Sequence, residues 1–288
     1  MLRRLKKTLS ESLPLSLYLR FKFPVEDRLF RGGLVKEGGG EKSSVLFFTT
    51  QKTASSSINK LFKYLNLVSL KMNLVDVSYY SYVMSPDPEF KTLELFKSKI
   101  FREKGFVYAP LRDYVEPDNY QDYTVLFFLR DPRDVLVSNY FSMKYSHGEP
   151  RNKERRKNFL EVRRGLDEID IDSFVLRQAA FYKKKYEDYL MSMKRFDGYV
   201  LLRYEDMVMN SAVWVEQLLS ALSIPMEDQV VDGVFKILGL DEVPLAEDKS
   251  KHVRSKYPGD FKRKLKSSTV EKLNSEFLDV LDHLGYDV

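Results

Sequence analysis

The chain has 288 residues, 43% hydrophobic and 31% charged, with a formal net charge of +5 and no cysteine. That hydrophobic share can build a large core, no apolar run approaches the ~20 residues needed to span a bilayer, and the missing cysteine excludes a disulfide scaffold or a cysteine-ligated zinc. The positive balance invites a nucleic-acid reading, but the cations concentrate in residues 151–164 and 249–266, and a compact polyanionic ligand explains the second cluster more economically than a duplex.

The N-terminus starts basic (MLRRLKK), but its apolar residues are interrupted by Ser, Glu and Pro and no small-residue cleavage pattern follows. Residues 1–40 are therefore expected to be an N-terminal extension, loosely attached or packed on the domain, and a poor secretory leader. A glycine patch at residues 37–40 separates them from residues 41–288, where neither an internal repeat nor a Pro/Gly/Ser linker divides a single domain.

Residues 45–48 (VLFF) read as a buried strand, after which the chain turns abruptly to Thr49, Thr50, Gln51, Lys52, Thr53 and three serines, Ser55, Ser56 and Ser57. A helical pattern follows in Ile58, Leu61, Phe62 and Leu65. A strand, loop and helix in this order aim the free N–H groups of the helix start at one point, where the macrodipole also favours negative charge. Lys52 and the hydroxyls complete an anion cradle; the plainer alternative is a serine-rich N-cap beside a solvated lysine. The pattern GxxxxGK[ST] is absent, since no glycine occurs between Glu41 and Leu65.

Further candidate strands are residues 74–77, 106–109, Thr124–Leu129 and 199–202, separated by stretches long enough for crossover helices. Arg130 stands at the tip of the Thr124–Leu129 strand. The next three residues read as N-cap (Asp131), first-turn proline (Pro132) and Arg133, with Asp134 as a first-turn carboxylate. Ser138 lies seven residues beyond Asp131, about two turns on, so it shares that angular position and can face a ligand across the strand tips with Arg130. The alternative for Arg130 is an ion pair with Asp134 or Asp131. Residues 151–164 read as a solvated lid or loop in preference to a binding surface.

Residues 52–56 (KTASS) and 130–138 (RDPRDVLVS) resemble the two nucleotide-binding signatures of the sulfotransferases that use 3′-phosphoadenosine-5′-phosphosulfate (PAPS), in their cytosolic-type branch. Residues 201–206 (LLRYED) are similar to a third family segment, and Arg254 with Gly259, Asp260 and Phe261 to a fourth. The segments stand in the family's order over residues 45–287. The resemblance implies an α/β, three-layer P-loop-like fold, a central parallel sheet flanked by helices with both phosphate loops at its C-terminal edge. It implies sulfuryl transfer from PAPS to an acceptor hydroxyl, leaving adenosine 3′,5′-bisphosphate, without a metal. Lys52 then neutralises the leaving group, and Thr53, Ala54, Ser55, Ser56 and Ser57 form the 5′-phosphate loop. Arg130, Ser138 and Arg254, with Ser255 and Lys256 beside it, hold the 3′-phosphate, and Tyr204 meets the adenine end. An ATP-dependent kinase and a non-catalytic nucleotide-binding relative are the alternatives.

The chain also departs from the family pattern. Ala54 replaces a loop glycine, which requires that it keep φ below zero. Ser57 replaces an aromatic, and residues 106–112 lack the histidine that serves many members as base. His252, two residues before Arg254, is the first candidate for that role, with Tyr108, Arg112 and an unassigned carboxylate behind it; His147 reads as a helix-end residue and His283 as a surface one. Tyr79, Tyr80, Tyr82, Met84, Tyr108, Phe141 and Tyr145 suggest an apolar or aromatic acceptor alcohol, small or carrier-bound, with plain core and loop packing of these aromatics, or a glycan acceptor, as the alternatives. No nucleic-acid partner is expected, and the expected location is cytoplasmic.

Overall fold

The structure, a computed structural model, describes residues 14–84, 92–150, 153–196, 198–240 and 257–288. His252, Arg254, Ser255 and Lys256 lie outside the described residues.

Two short helices come first, α1 (Leu15–Lys22) and α2 (Pro24–Phe30). They bury Tyr18, Phe23, Leu29 and Phe30 in the main core. Glu26 accepts the Asp76 amide at 2.9 Å and Asp27 accepts the Tyr80 hydroxyl at 2.9 Å.

The sheet follows, interleaved with helices: β1 (Val45–Thr49), α3 (Ser55–Leu65), β2 (Asn73–Val75), α4 (Val77–Met84), α5 (Thr92–Ile100), β3 (Phe106–Leu111), β4 (Thr124–Leu129), α6 (Pro132–Phe141), α7 (Lys153–Gly165), α8 (Ile171–Arg195) and β5 (Tyr199–Arg203). The order across the sheet is β2-β3-β1-β4-β5 and every pairing is parallel, with Val45 opposite both Val107 and Thr124. After β5 come α9 (Tyr204–Met209), α10 (Ser211–Ala221), α11 (Asp228–Leu238), α12 (Asp260–Lys264), α13 (Ser267–Glu276) and α14 (Leu278–Leu284).

Both faces of the sheet are covered, which is why its central strands are continuous apolar runs. Alternate residues divide between two cores. Leu46, Phe48, Val125 and Phe127 pack with α4, α6 and α8, while Val45, Phe47, Leu126 and Phe128 pack with α3, α10 and α11. On the second face α11 crosses α3 at Gly233, where an added Cβ would lie 2.1 Å from the Tyr64 hydroxyl.

All five expected strands form. The second is Asn73–Val75 instead of residues 74–77 because Asp76 starts α4: its carboxylate accepts the Tyr79 amide at 3.0 Å and its carbonyl the Tyr80 amide at 3.0 Å, drawing Val77 into the helix.

Candidate active site

A parallel sheet brings every strand tip to one edge. Following the strand order, that edge carries Asp76 after β2, Arg112 and Asp113 after β3, Gln51 and Lys52 after β1, Arg130 after β4 and Tyr204 after β5.

The loop after β1 holds two left-handed residues, Lys52 at φ 70° and Ala54 at φ 47°. The expectation that Ala54 keeps a negative φ is thus corrected. Its carbonyl accepts the amides of both Ser57 (2.8 Å) and Ile58 (3.0 Å), so it starts α3 from a conformation that costs an alanine roughly 1–2 kcal/mol. The surroundings enforce that conformation: the Thr50 and Thr53 hydroxyls meet at 2.6 Å, and Arg130 grips the Lys52 carbonyl at 3.1 Å. Left-handed residues on either side of Thr53 curl the backbone into a concavity of N–H groups suited to an anion. Among the described residues, the amides of Thr53, Ala54 and Ser55 have no backbone partner. Thr53 is fully buried, Ser55 and Ser57 are half-buried and Ser56 is exposed.

Lys52 is half-buried, and its ammonium donates to the Ser142 hydroxyl at 2.5 Å. No described carboxylate pairs with it, and burial pulls its pKa down to about 8. Ser138 lies in the last turn of α6, four residues before the C-cap Ser142, half-buried, with no hydroxyl partner among the described residues.

The second motif folds as its punctuation predicts, with Asp131 capping α6 by accepting the Arg133 amide at 2.9 Å and Pro132 at the first helical position. Arg130 is buried. One NH group donates to the Lys52 carbonyl, the other pairs with Asp134 at 3.4 Å, and the guanidinium lies 4.4 Å from the centre of the Tyr204 ring. The ion pair with Asp134 named as the alternative therefore exists, yet the Arg130 Nε–H is buried without a partner among the described residues. Asp131 pairs with Arg133 at 2.7 Å.

Asp134 also accepts the amides of Gly259 at 2.9 Å and Phe261 at 3.0 Å, tying the described part of the fourth segment to the second. Glu205 accepts the Asp131 amide at 3.1 Å and the Tyr286 hydroxyl at 2.7 Å, and burial raises its pKa. Segments more than a hundred residues apart thus converge around Arg130 and Asp134.

Sequence reading missed the contribution of α8. Tyr186 donates to the Arg130 carbonyl and Tyr189 to the Thr49 carbonyl at 2.7 Å, steadying the tips of β4 and β1. The buried Lys185 ammonium has three acceptors: Gln51 Oε1 at 2.9 Å, the Arg112 carbonyl at 2.8 Å and Asp113 Oδ1 at 2.6 Å. The available signal was a lysine beside tyrosines at helical spacing in KKKYEDYL, which by itself reads as an ordinary amphipathic helix.

Tyr108 is fully buried; it donates to the Ile100 carbonyl at 2.9 Å and accepts the Arg102 amide at 2.7 Å, so its hydroxyl is not free for an acceptor. Arg112 pairs with Asp76 at 3.2 Å. His147 caps the turn Ser142–Ser146 with its ring 5.6 Å from Phe159, and His283 is an exposed residue of α14. Of the aromatic rim, Tyr80 is buried on Asp27, Tyr79 and Tyr82 stack half-buried at 6.3 Å, and Phe141 stacks on Tyr145 at 6.2 Å beside Ser142. Residues 153–165 form a helix and not a loop. Arg155 binds the Tyr82 carbonyl at 2.6 Å and Arg163 the Met143 carbonyl at 2.8 Å, so α7 spans from α4 to the turn after α6.

The sulfotransferase domain family model matches residues 119–284, more than half of the chain and inclusive of the second and third segments. Similar solved structures include mouse sulfotransferase SULT7A1 complexed with PAP (13% identity over 89% of this chain and 88% of that one, TM-score 0.49). Others are retinol dehydratase in a complex with retinol and PAP (14%, 92% and 87%, 0.49) and sulfotransferase STF9 from Mycobacterium avium (11%, 95% and 82%, 0.45). No curated protein matches the chain by sequence.

Proposed function

Taking as its premise that the chain belongs to the sulfotransferase family, we propose that it transfers a sulfuryl group from PAPS to a hydroxyl of an organic acceptor, releasing adenosine 3′,5′-bisphosphate. The observation that carries this reading is the Lys52 ammonium, held by a serine hydroxyl and by no described carboxylate, where the loop after β1 meets the residue that follows α6.

The described residues fit a nucleotide with phosphate at both ends. The open amides of Thr53, Ala54 and Ser55, with the nearby Ser56 and Ser57 hydroxyls, suit the 5′-phosphate. The unpartnered Arg130 Nε–H and the Ser138 hydroxyl suit the 3′-phosphate, with Arg254, Ser255 and Lys256 assigned there from the sequence, and the Tyr204 ring suits the adenine side. Sulfuryl transfer is in-line and largely dissociative by analogy with phosphoryl transfer, so the protein's tasks are alignment and charge stabilisation. The acceptor oxygen bonds to sulfur as the S–O bond to the 5′-phosphate breaks. The electron pair stays on the departing oxygen, where the Lys52 ammonium stabilises it.

Tyr79 and Tyr82 on one side, Phe141 and Tyr145 on the other, and α7 between them support an apolar or aromatic alcohol as acceptor. Among the described residues no helix is long and apolar enough to cross a membrane; with the absence of cysteine, a cytoplasmic setting is the reading we adopt. Calorimetric titration with adenosine 3′,5′-bisphosphate beside ATP, without magnesium, tests the proposal: tight binding of the bisphosphate alone is expected, and equal affinities overturn it.

A further inference from the structure

In-line transfer sets the acceptor opposite the leaving group. If the nucleotide lies over the tips of β1, β4 and β5, where Lys52, Arg130 and Tyr204 stand, the acceptor hydroxyl lies over the tips of β1, β3 and β2. A general base has to come from that half of the edge. Arg112 carries only donors and is spent on Asp76. Asp76 is filled by donors, the Arg112 NH1 at 3.2 Å, the Tyr79 amide at 3.0 Å and Asn59 Nδ2 at 3.3 Å, and it stands one strand farther out.

Asp113 differs on each count. Its Oδ1 takes the Lys185 ammonium at 2.6 Å, its Oδ2 has no partner among the described residues, and its side chain is 29% exposed. The same ammonium binds Gln51 Oε1 at 2.9 Å, so the two side-chain oxygens lie no more than about 5.5 Å apart, the sum of the two bonds, and Gln51 precedes Lys52 in the chain. One carboxylate oxygen is locked by a buried cation and the other has no partner among the described residues on a partly exposed side chain, the arrangement of a base with its orienting group.

We propose that Asp113 is the general base of the transfer, an assignment that rests on the sulfotransferase reading. Its Oδ2 takes the acceptor proton as the acceptor oxygen bonds to sulfur, and the electron pair of the breaking S–O bond leaves with the nucleotide beside Lys52. The titratable groups around Asp113 are Lys185, Tyr182 and Tyr189 from α8, and Arg112 on its own segment. Burial holds both tyrosines protonated.

The test measures sulfuryl transfer from PAPS to water and to a series of substituted phenols, alongside calorimetric binding of adenosine 3′,5′-bisphosphate. Asp113→Asn is expected to slow transfer roughly 10²–10⁴-fold, to erase the acidic limb of the pH–rate profile and to leave bisphosphate affinity within about threefold, with Asp113→Glu restoring part of the rate. Lys185→Met reports what loss of the tether alone does to the loop. The assignment is overturned if Asp113→Asn keeps its rate within about threefold, or loses bisphosphate affinity tenfold as Lys185→Met does, or keeps an acidic limb that His252→Ala abolishes. Wild-type protein that fails to bind the bisphosphate refutes the sulfotransferase reading itself; binding with an unaffected Asp113→Asn refutes only the base.

Discussion

The Arg130 guanidinium donates to the main-chain carbonyl of Lys52 at 3.1 Å, so the arginine at the tip of β4 fixes the left-handed residue whose ammonium faces α6. That bond joins the loop after β1 to the residue before the N-cap of α6. A ligand that engages the Arg130 Nε–H is therefore expected to act also on the loop that presents Lys52.

Nucleotide choice follows from that contact. Adenosine 3′,5′-bisphosphate is expected to bind at least tenfold tighter than AMP or ATP without magnesium, a gap of about 1.4 kcal/mol. Calorimetry on wild type and on Ser138→Ala reads it. The variant should lose affinity for the bisphosphate while its affinity for AMP, which lacks the 3′-phosphate, barely changes.

Lys52 should trade stability for turnover. Its pKa falls from 10.5 to about 8 through burial, so between those values the folded protein binds fewer protons than the unfolded chain and stability rises with pH across that window; below it the buried charge is a full penalty. Lys52→Met is expected to stabilise the nucleotide-free protein at pH 7 by roughly 1–3 kcal/mol, the difference shrinking as pH approaches 10.5. The same variant should lower kcat by on the order of 10²-fold or more, with a smaller change in bisphosphate affinity. Denaturant melts at pH 7 and pH 10 and steady-state kinetics check both halves; normal turnover reduces Lys52 to an anchor.

Ala54→Gly should relieve the strain at φ 47°. Glycine carries a larger entropy cost in the unfolded chain, so the net gain is roughly 0.5–1 kcal/mol. Ala54→Val should destabilise instead. Thermal melts of both variants measure the sign, and a loss of stability in Ala54→Gly refutes the strain.

Asp134 joins Arg130 to the amides of Gly259 and Phe261. Asp134→Ala is expected to cost about 3–5 kcal/mol, because it strands a buried guanidinium and two N–H groups. Bisphosphate affinity should fall with it. Urea unfolding with amide exchange at Phe261 gives the readout; a loss under 1 kcal/mol shows that water replaces the carboxylate at no penalty.

The sequence by itself determined the strands and the helix starts, and marked residues 52–56 and 130–138 as candidate anion-binding segments, because those signals are local. An apolar run followed by hydroxyls, or Asp-Pro ahead of a helix, fixes backbone choices over four or five residues whatever surrounds them. The sign of φ at Ala54 was beyond such reasoning, since the chain accepts a strained residue only when distant groups enforce it, here Arg130 on the Lys52 carbonyl. The same holds for Lys185, which in sequence is one more lysine on a helix and in space is a cation shared by Gln51, Arg112 and Asp113. Its role is created by burial and by three acceptors from two other strand tips, so only the assembled sheet edge decides it.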